Sequence, residues 1–129
     1  MDTYNINPTV DAFGGGGLIG SVTDVAEYFQ ALFGGRVFNQ PATLLQFTAA
    51  PEWQPDSEYR HDVFAKTIAG CQLFYHGGYW GTLVVAVPAL DLVVAGATLD
   101  QSGYVPLRDM SFELAGKLIK ENPGACHPQ

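Results

Sequence analysis

The octapeptide Tyr75-His76-Gly77-Gly78-Tyr79-Trp80-Gly81-Thr82 carries the residues best suited to chemistry. It places one imidazole and two glycines at the start of a strand, between two apolar runs. Glycine weakens a strand unless something must approach its backbone closely. A substrate lying along the strand edge is one such thing, and a glycine bulge or hairpin turn is another. Both readings stay open at the level of sequence. What the chain lacks is a nucleophile to match. An acylated serine needs a base three residues on, as in S-x-x-K. Here Ser21, Ser57, Ser102 and Ser111 are followed at that spacing by Asp24, Arg60, Val105 and Leu114.

Other motifs fail on their neighbours. Gly15-Gly16-Gly17-Leu18-Ile19-Gly20 fits G-x-G-x-x-G ahead of a helix, the arrangement that seats a pyrophosphate. No apolar strand leads into it, and no acid lies between Tyr28 and Pro51 to hold a ribose. The residue before Ser21 is Gly20, not the lysine of a P-loop. These glycines are read as backbone that packs closely. Lys66-Thr67-Ile68 starts like K-T-G but lacks the glycine, and is read as strand with an exposed lysine. Asp56 and Glu58 lie in a proline-rich loop that imposes no geometry on a carboxylate pair. His61 and His127 have no partner supplied by spacing. His61 and Asp62 do not form a dyad if they are strand neighbours pointing to opposite faces. Cys71 and Cys126 are too few for a disulfide framework and have no metal spacing, so they are expected as free thiols.

The elements that must position His76 are legible. Ser21 is a helix N-cap with Asp24 completing a capping box. Val22, Val25, Ala26, Phe29, Leu32 and Phe33 form one apolar face, and Gly34-Gly35 stops the helix. A short helix is expected over 41–48 with Pro41 in its first turn and Leu44, Leu45 and Phe47 inward. Strands are expected over 63–69 and 72–76, broken at Gly70-Cys71, and over 81–87 and 91–99, joined by Pro88-Ala89-Leu90. The last two runs do not alternate, so both faces of the sheet must be covered. A final helix spans about 105–121, with Leu107, Met110, Leu114, Ala115, Leu118 and Ile119 apolar and Glu113 and Lys117 paired across a turn. The order gives one α+β domain with a mainly antiparallel sheet covered by helices. Residues 1–13 are an irregular lead-in and 122–129 a loose tail.

Composition bounds the function. With 47% hydrophobic and 15% charged residues over 129 positions, the chain is one domain with a real core. The net charge is −7 and no basic stripe exists, so nucleic acid and anionic membrane are excluded as partners. No apolar run is long enough to span a membrane. Met1 to Asn5 has neither the basic nor the apolar region of a signal peptide, which leaves the compartment open. No cofactor is implied.

The segment Gly16 to Gly35 resembles the "GGL-x-S-T-x-x-D-L-A-x-F" helix of the serine β-lactamase and penicillin-binding-protein-like family. That family includes class C β-lactamases, D-alanyl-D-alanine carboxypeptidases and esterases. Tyr75 to Thr82 resembles its H-x-G version of the K-T-G strand, and Pro88 to Ala95 its next strand. The resemblance covers residues 10 to 120 and implies the C-terminal portion of the β-lactamase/transpeptidase-like fold. It implies that His76 polarises the site and binds substrate, with Gly77 in the threonine place and Gly78 letting substrate lie against the strand. It makes the Tyr79 N–H one of two oxyanion donors, each typically worth about 2.7–4 kcal/mol. The S-x-x-K and Y-x-N elements and the family's first strands are absent. The chain is therefore expected to be a C-terminal fragment of a β-lactam, D-Ala-D-Ala peptide or ester hydrolase, inactive alone. The alternative is a non-catalytic binding or dimerisation module derived from that fold. The strand at 91–99 is left as an apolar edge, so either two chains pair there as a homodimer or the N-terminal segment folds over it.

Overall fold

The computed structural model describes residues 19–126. The lead-in, Gly15 to Leu18 of the glycine motif, and His127 lie outside them. Helix α1 (Val22–Phe33) and helix α2 (Pro41–Thr48) precede strands β1 (Phe64–Ile68), β2 (Cys71–Gly77), β3 (Thr82–Val87) and β4 (Leu92–Ala97), and α3 (Tyr104–Glu121) closes the chain. The four strands form one antiparallel sheet in the order β1-β2-β3-β4. This is the α+β architecture that the patterning calls for.

Helix α1 starts where the capping box places it. The Ser21 hydroxyl accepts from the Asp24 N–H at 3.2 Å, and the Asp24 carboxylate accepts from the Ser21 N–H at 2.7 Å. Those hydrogen bonds hold the Asp24 carboxyl below its ordinary value, the backbone donor contributing most. A carboxyl depressed in the folded state lends stability above its unfolded value, lost as pH falls through the folded one. Ser21→Ala is expected to cost about 1 kcal/mol in a urea titration at neutral pH. The gap between variant and parent should narrow without vanishing as acid protonates Asp24, because the hydroxyl then loses its bond to the carboxylate but still accepts the Asp24 N–H; a gap unchanged in acid would mean the hydroxyl acts without the carboxylate.

The helices cover opposite faces of the sheet, which is why β3 is buried over Leu83–Val87 and does not alternate. On one face Leu73, Leu83, Val85 and Val87 pack with Ala115 and Ile119 of α3. On the other, Val63, Ala65 and Phe74 pack with Phe29, Phe33 and Phe47 of α1 and α2. The Phe33 and Phe74 rings stack at 4.9 Å. A layer of apolar side chains on each face is the main source of stability.

Several expectations need correction. Leu45 does not face inward; it is 71% exposed, because so short a helix covers the sheet with one edge only. Met110 and Leu114 are 61% and 44% exposed on α3, while Ser111, not expected in the core, is buried and donates its hydroxyl to Leu107 O at 2.8 Å. The ion pair on α3 is Arg108 with Asp109 at 2.9 Å rather than Glu113 with Lys117. The β1–β2 turn is Ala69-Gly70, not Gly70-Cys71; both turn residues have positive φ, 49° and 84°, the twist a two-residue hairpin requires. Cys71 is thereby the first residue of β2. Its thiol is not free: it is bonded to Cys126, with Cα atoms 5.0 Å apart. The bridge ties the chain beyond α3 to the sheet, so the tail is anchored as far as Cys126.

Candidate functional site

His76 lies near the end of β2, not at a strand start, and the octapeptide is the β2–β3 hairpin. The Gly78 N–H donates to Thr82 O at 2.8 Å and the Gly81 N–H to Gly78 O at 3.0 Å. Gly81 has φ +89°, the left-handed corner of a three-residue loop with a glycine bulge. The turn reading is therefore realised. It leaves the ledge reading standing, because the hairpin sits at the mouth of a cleft.

That cleft has a volume of about 570 Å³ and opens between α1 and the sheet. Gly20, Tyr28 and Leu32 form one wall, Asp62 and Val63 the other, and His76, Gly78 and Thr82 the floor. His76 is paired with Val84, so its ring shares the α1 face of the sheet. It is half-buried, its ring 6.2 Å from Tyr59 and 5.9 Å from Phe64. Among the described residues no hydrogen bond engages the imidazole, which leaves both ring nitrogens for a ligand.

The neighbouring residues of the motif divide between the two faces. Gly77 pairs with Leu83 on the α3 face, and a side chain there would overlap the Tyr104 phenol. Its bareness is used by α3, and it does not line the cleft. Gly78 does line it, and a side chain on Gly78 would overlap the Thr82 hydroxyl. Tyr79 is 66% exposed at the first corner of the turn; its carbonyl accepts from Gln101 Nε2 at 3.4 Å. Among the described residues nothing accepts its N–H.

No serine lines the cleft. Ser21 donates to Asp24 at 2.8 Å, Ser57 to Tyr59 O at 2.9 Å, and Ser111 back into its own helix. Ser102 does not line the cleft. Asp56 and Glu58 are exposed loop residues, as expected. His61 and Asp62 do stay apart, but for a reason other than strand alternation. They lie in a bend before β1, with Asp62 at φ +72°, and His61 lines a separate cleft beside Trp53. Tyr75 packs edge-on against Phe112 of α3 at 5.0 Å, and burial, then Glu58, pushes its phenol above its ordinary value.

Thr82 and Tyr28 are cleft residues that the sequence analysis passed over. Thr82 was within reach: a hairpin centred on Tyr79-Trp80 puts it across from Gly78. Tyr28 carried no signal, since it sits on the flank of α1 rather than in the apolar stripe. The site offers an imidazole beside an apolar slot, which can meet a carbonyl. Among the described residues no serine lines it. Among the described residues no cluster of three metal-ligating side chains occurs, and no helix is long and apolar enough to cross a membrane. Comparison with protein-family models, curated proteins and solved structures finds no match to this chain.

Proposed function

We propose that this chain is the C-terminal portion of a serine hydrolase of the β-lactamase and penicillin-binding-protein kind, carrying the binding ledge without the nucleophile. The observation that carries the reading is His76 facing the α1–sheet cleft with Gly78 beside it, followed in the hairpin by Tyr79, whose N–H has no acceptor among the described residues. In this role the imidazole receives a substrate carboxylate or carbonyl, and Tyr79 supplies one of two oxyanion donors. The attacking serine, with its own N–H as second donor, comes from preceding chain. The Cys71–Cys126 bridge fits an oxidising compartment, where such bonds persist. A second reading is a binding or dimerisation module, and the β4 edge, unpaired among the described residues, favours it.

Titration of the ¹⁵N-labelled chain with D-alanyl-D-alanine and with a penicillin tests the first reading. Amide shifts are expected at His76 to Tyr79 and at Gly20, with dissociation constants near ~1 mM, or about 4 kcal/mol, as half a site allows. His76→Ala should abolish them. A chromogenic cephalosporin and a nitrophenyl ester should give no product. Shifts that spare the hairpin, or serine-dependent turnover by this chain, would overturn the proposal.

A further inference from the structure

The two edges of the sheet are built differently. Strand β1 is bordered by a bridge from Tyr59 to Phe64 and carries Lys66 mid-strand, its ammonium 4.8 Å from the Phe112 ring. A charge and a bordering loop are the usual means of blocking an edge. Strand β4 has neither. No charged residue occurs from Leu92 to Leu99, and no described element pairs with its outer side.

Helix α3 extends this bare edge. Leu107 lies against Gly96 of β4, where an added Cβ would come within 2.8 Å of it. That contact fixes which flank of α3 overhangs β4. Met110, Leu114 and Leu118 follow Leu107 at helical spacing down the same flank. Met110 and Leu114 are 61% and 44% exposed, and Leu99, just past β4, is fully exposed at 101%. Exposed apolar side chains of this size mark a contact surface.

We propose that β4 and the overhanging flank of α3 form the interface of a homodimer. The two copies pair their β4 strands antiparallel about a two-fold axis, joining their sheets into one. Opposite residues in an antiparallel pair share a face, so the axis passes beside a residue rather than between two. With Ala95 on the axis, Val94 meets Gly96 of the copy and Val93 meets Ala97, large against small. The surface is thus complementary to itself, as an isologous contact must be. Six residues of strand run about 20 Å, and the sheet with its α3 layer is about 20 Å thick, giving roughly 400 Å² per copy. Doubled, that lies below the ~1,200 Å² of standard specific interfaces and in the range of transient ones, so the dimer is weak and concentration-dependent. Each copy carries a charge of −7, so salt that screens this repulsion strengthens the pairing.

This inference rests on the second reading, that of a dimerisation module, and is independent of the hydrolase reading. Sedimentation velocity between about 1 and 200 μM, at low and high salt, tests it. The mass is expected to rise from 13.9 kDa toward twice that value, and to rise earlier at high salt. Met110→Lys/Leu114→Lys and, independently, Leu99→Asp should raise the dissociation constant at least tenfold with unchanged circular dichroism. Trp53→Ser, at an exposed site on another side, should leave it unchanged. A mass fixed at 13.9 kDa throughout, or a dimer indifferent to both edge variants, overturns the proposal.

Discussion

Reduction of the Cys71–Cys126 bridge is expected to lower the unfolding free energy by about 4 kcal/mol. The bridge closes a loop of 55 residues, and closure entropy withheld from the unfolded chain grows with the logarithm of that length. The native state should lose little else, because Cys71 is 1% exposed and stays packed among Leu73, Val87 and Ile119 whether bonded or not. Urea titrations with and without reductant, and of the Cys71→Ala/Cys126→Ala variant, measure the difference. The variant should match the reduced protein and be indifferent to reductant. Coincident curves for the parent protein, together with two thiols reacting in its native state, would mean that the bridge does not form.

The bridge also marks where sequence reading stopped. Helix α1 was legible to the residue because its signals are local: Ser21 and Asp24 three apart, a stripe at helical spacing, Gly34-Gly35 at the end. Strand β3 was legible through its unbroken apolar run, whose consequence, helices on both faces, follows from period alone. That β4 lies at an edge of the described sheet was expected from the family resemblance, not from its period. The disulfide was not, since it depends on the start of β2 meeting the chain just past α3, and no local spacing encodes that meeting. Within the candidate site, the half-exposed His76 and the glycines around it could be picked out. Which face each served could not. Strand alternation puts His76 and Gly77 on opposite faces in any register, but only the position of Tyr104 shows that Gly77 serves α3 while His76 serves the cleft. Met110 and Leu114 look the same in sequence as Ala115 and Ile119; the difference is the width of the sheet beneath α3, a tertiary quantity.

The second large effect concerns the hairpin that presents the Tyr79 N–H. Gly81→Ala is expected to destabilise the protein by about 2–4 kcal/mol, against about 1–2 kcal/mol for Gly70→Ala. Both glycines have the same backbone need, at φ +89° and +84°. Their surroundings differ. Nothing lies within 4 Å of a Cβ built on Gly70, whereas one on Gly81 would stand 2.7 Å from the Thr98 carbonyl oxygen and overlap the Thr98 hydroxyl. Thr98 cannot step back freely, because its N–H donates to Gly81 O at 2.9 Å and its hydroxyl to Asp100 O at 2.9 Å. The pair of variants therefore separates backbone strain, common to both, from crowding, which only Gly81 meets. It also bears on the site, because crowding at Gly81 must tilt the turn and with it the Tyr79 amide. Equal losses for the two variants would show that Thr98 yields without cost. A large loss at Gly81, with ¹⁵N shifts reaching Tyr79 and His76, would show that hairpin and cleft are one rigid piece. The glycines of this motif would then serve the ligand by holding the turn in shape, whether or not a ligand touches them.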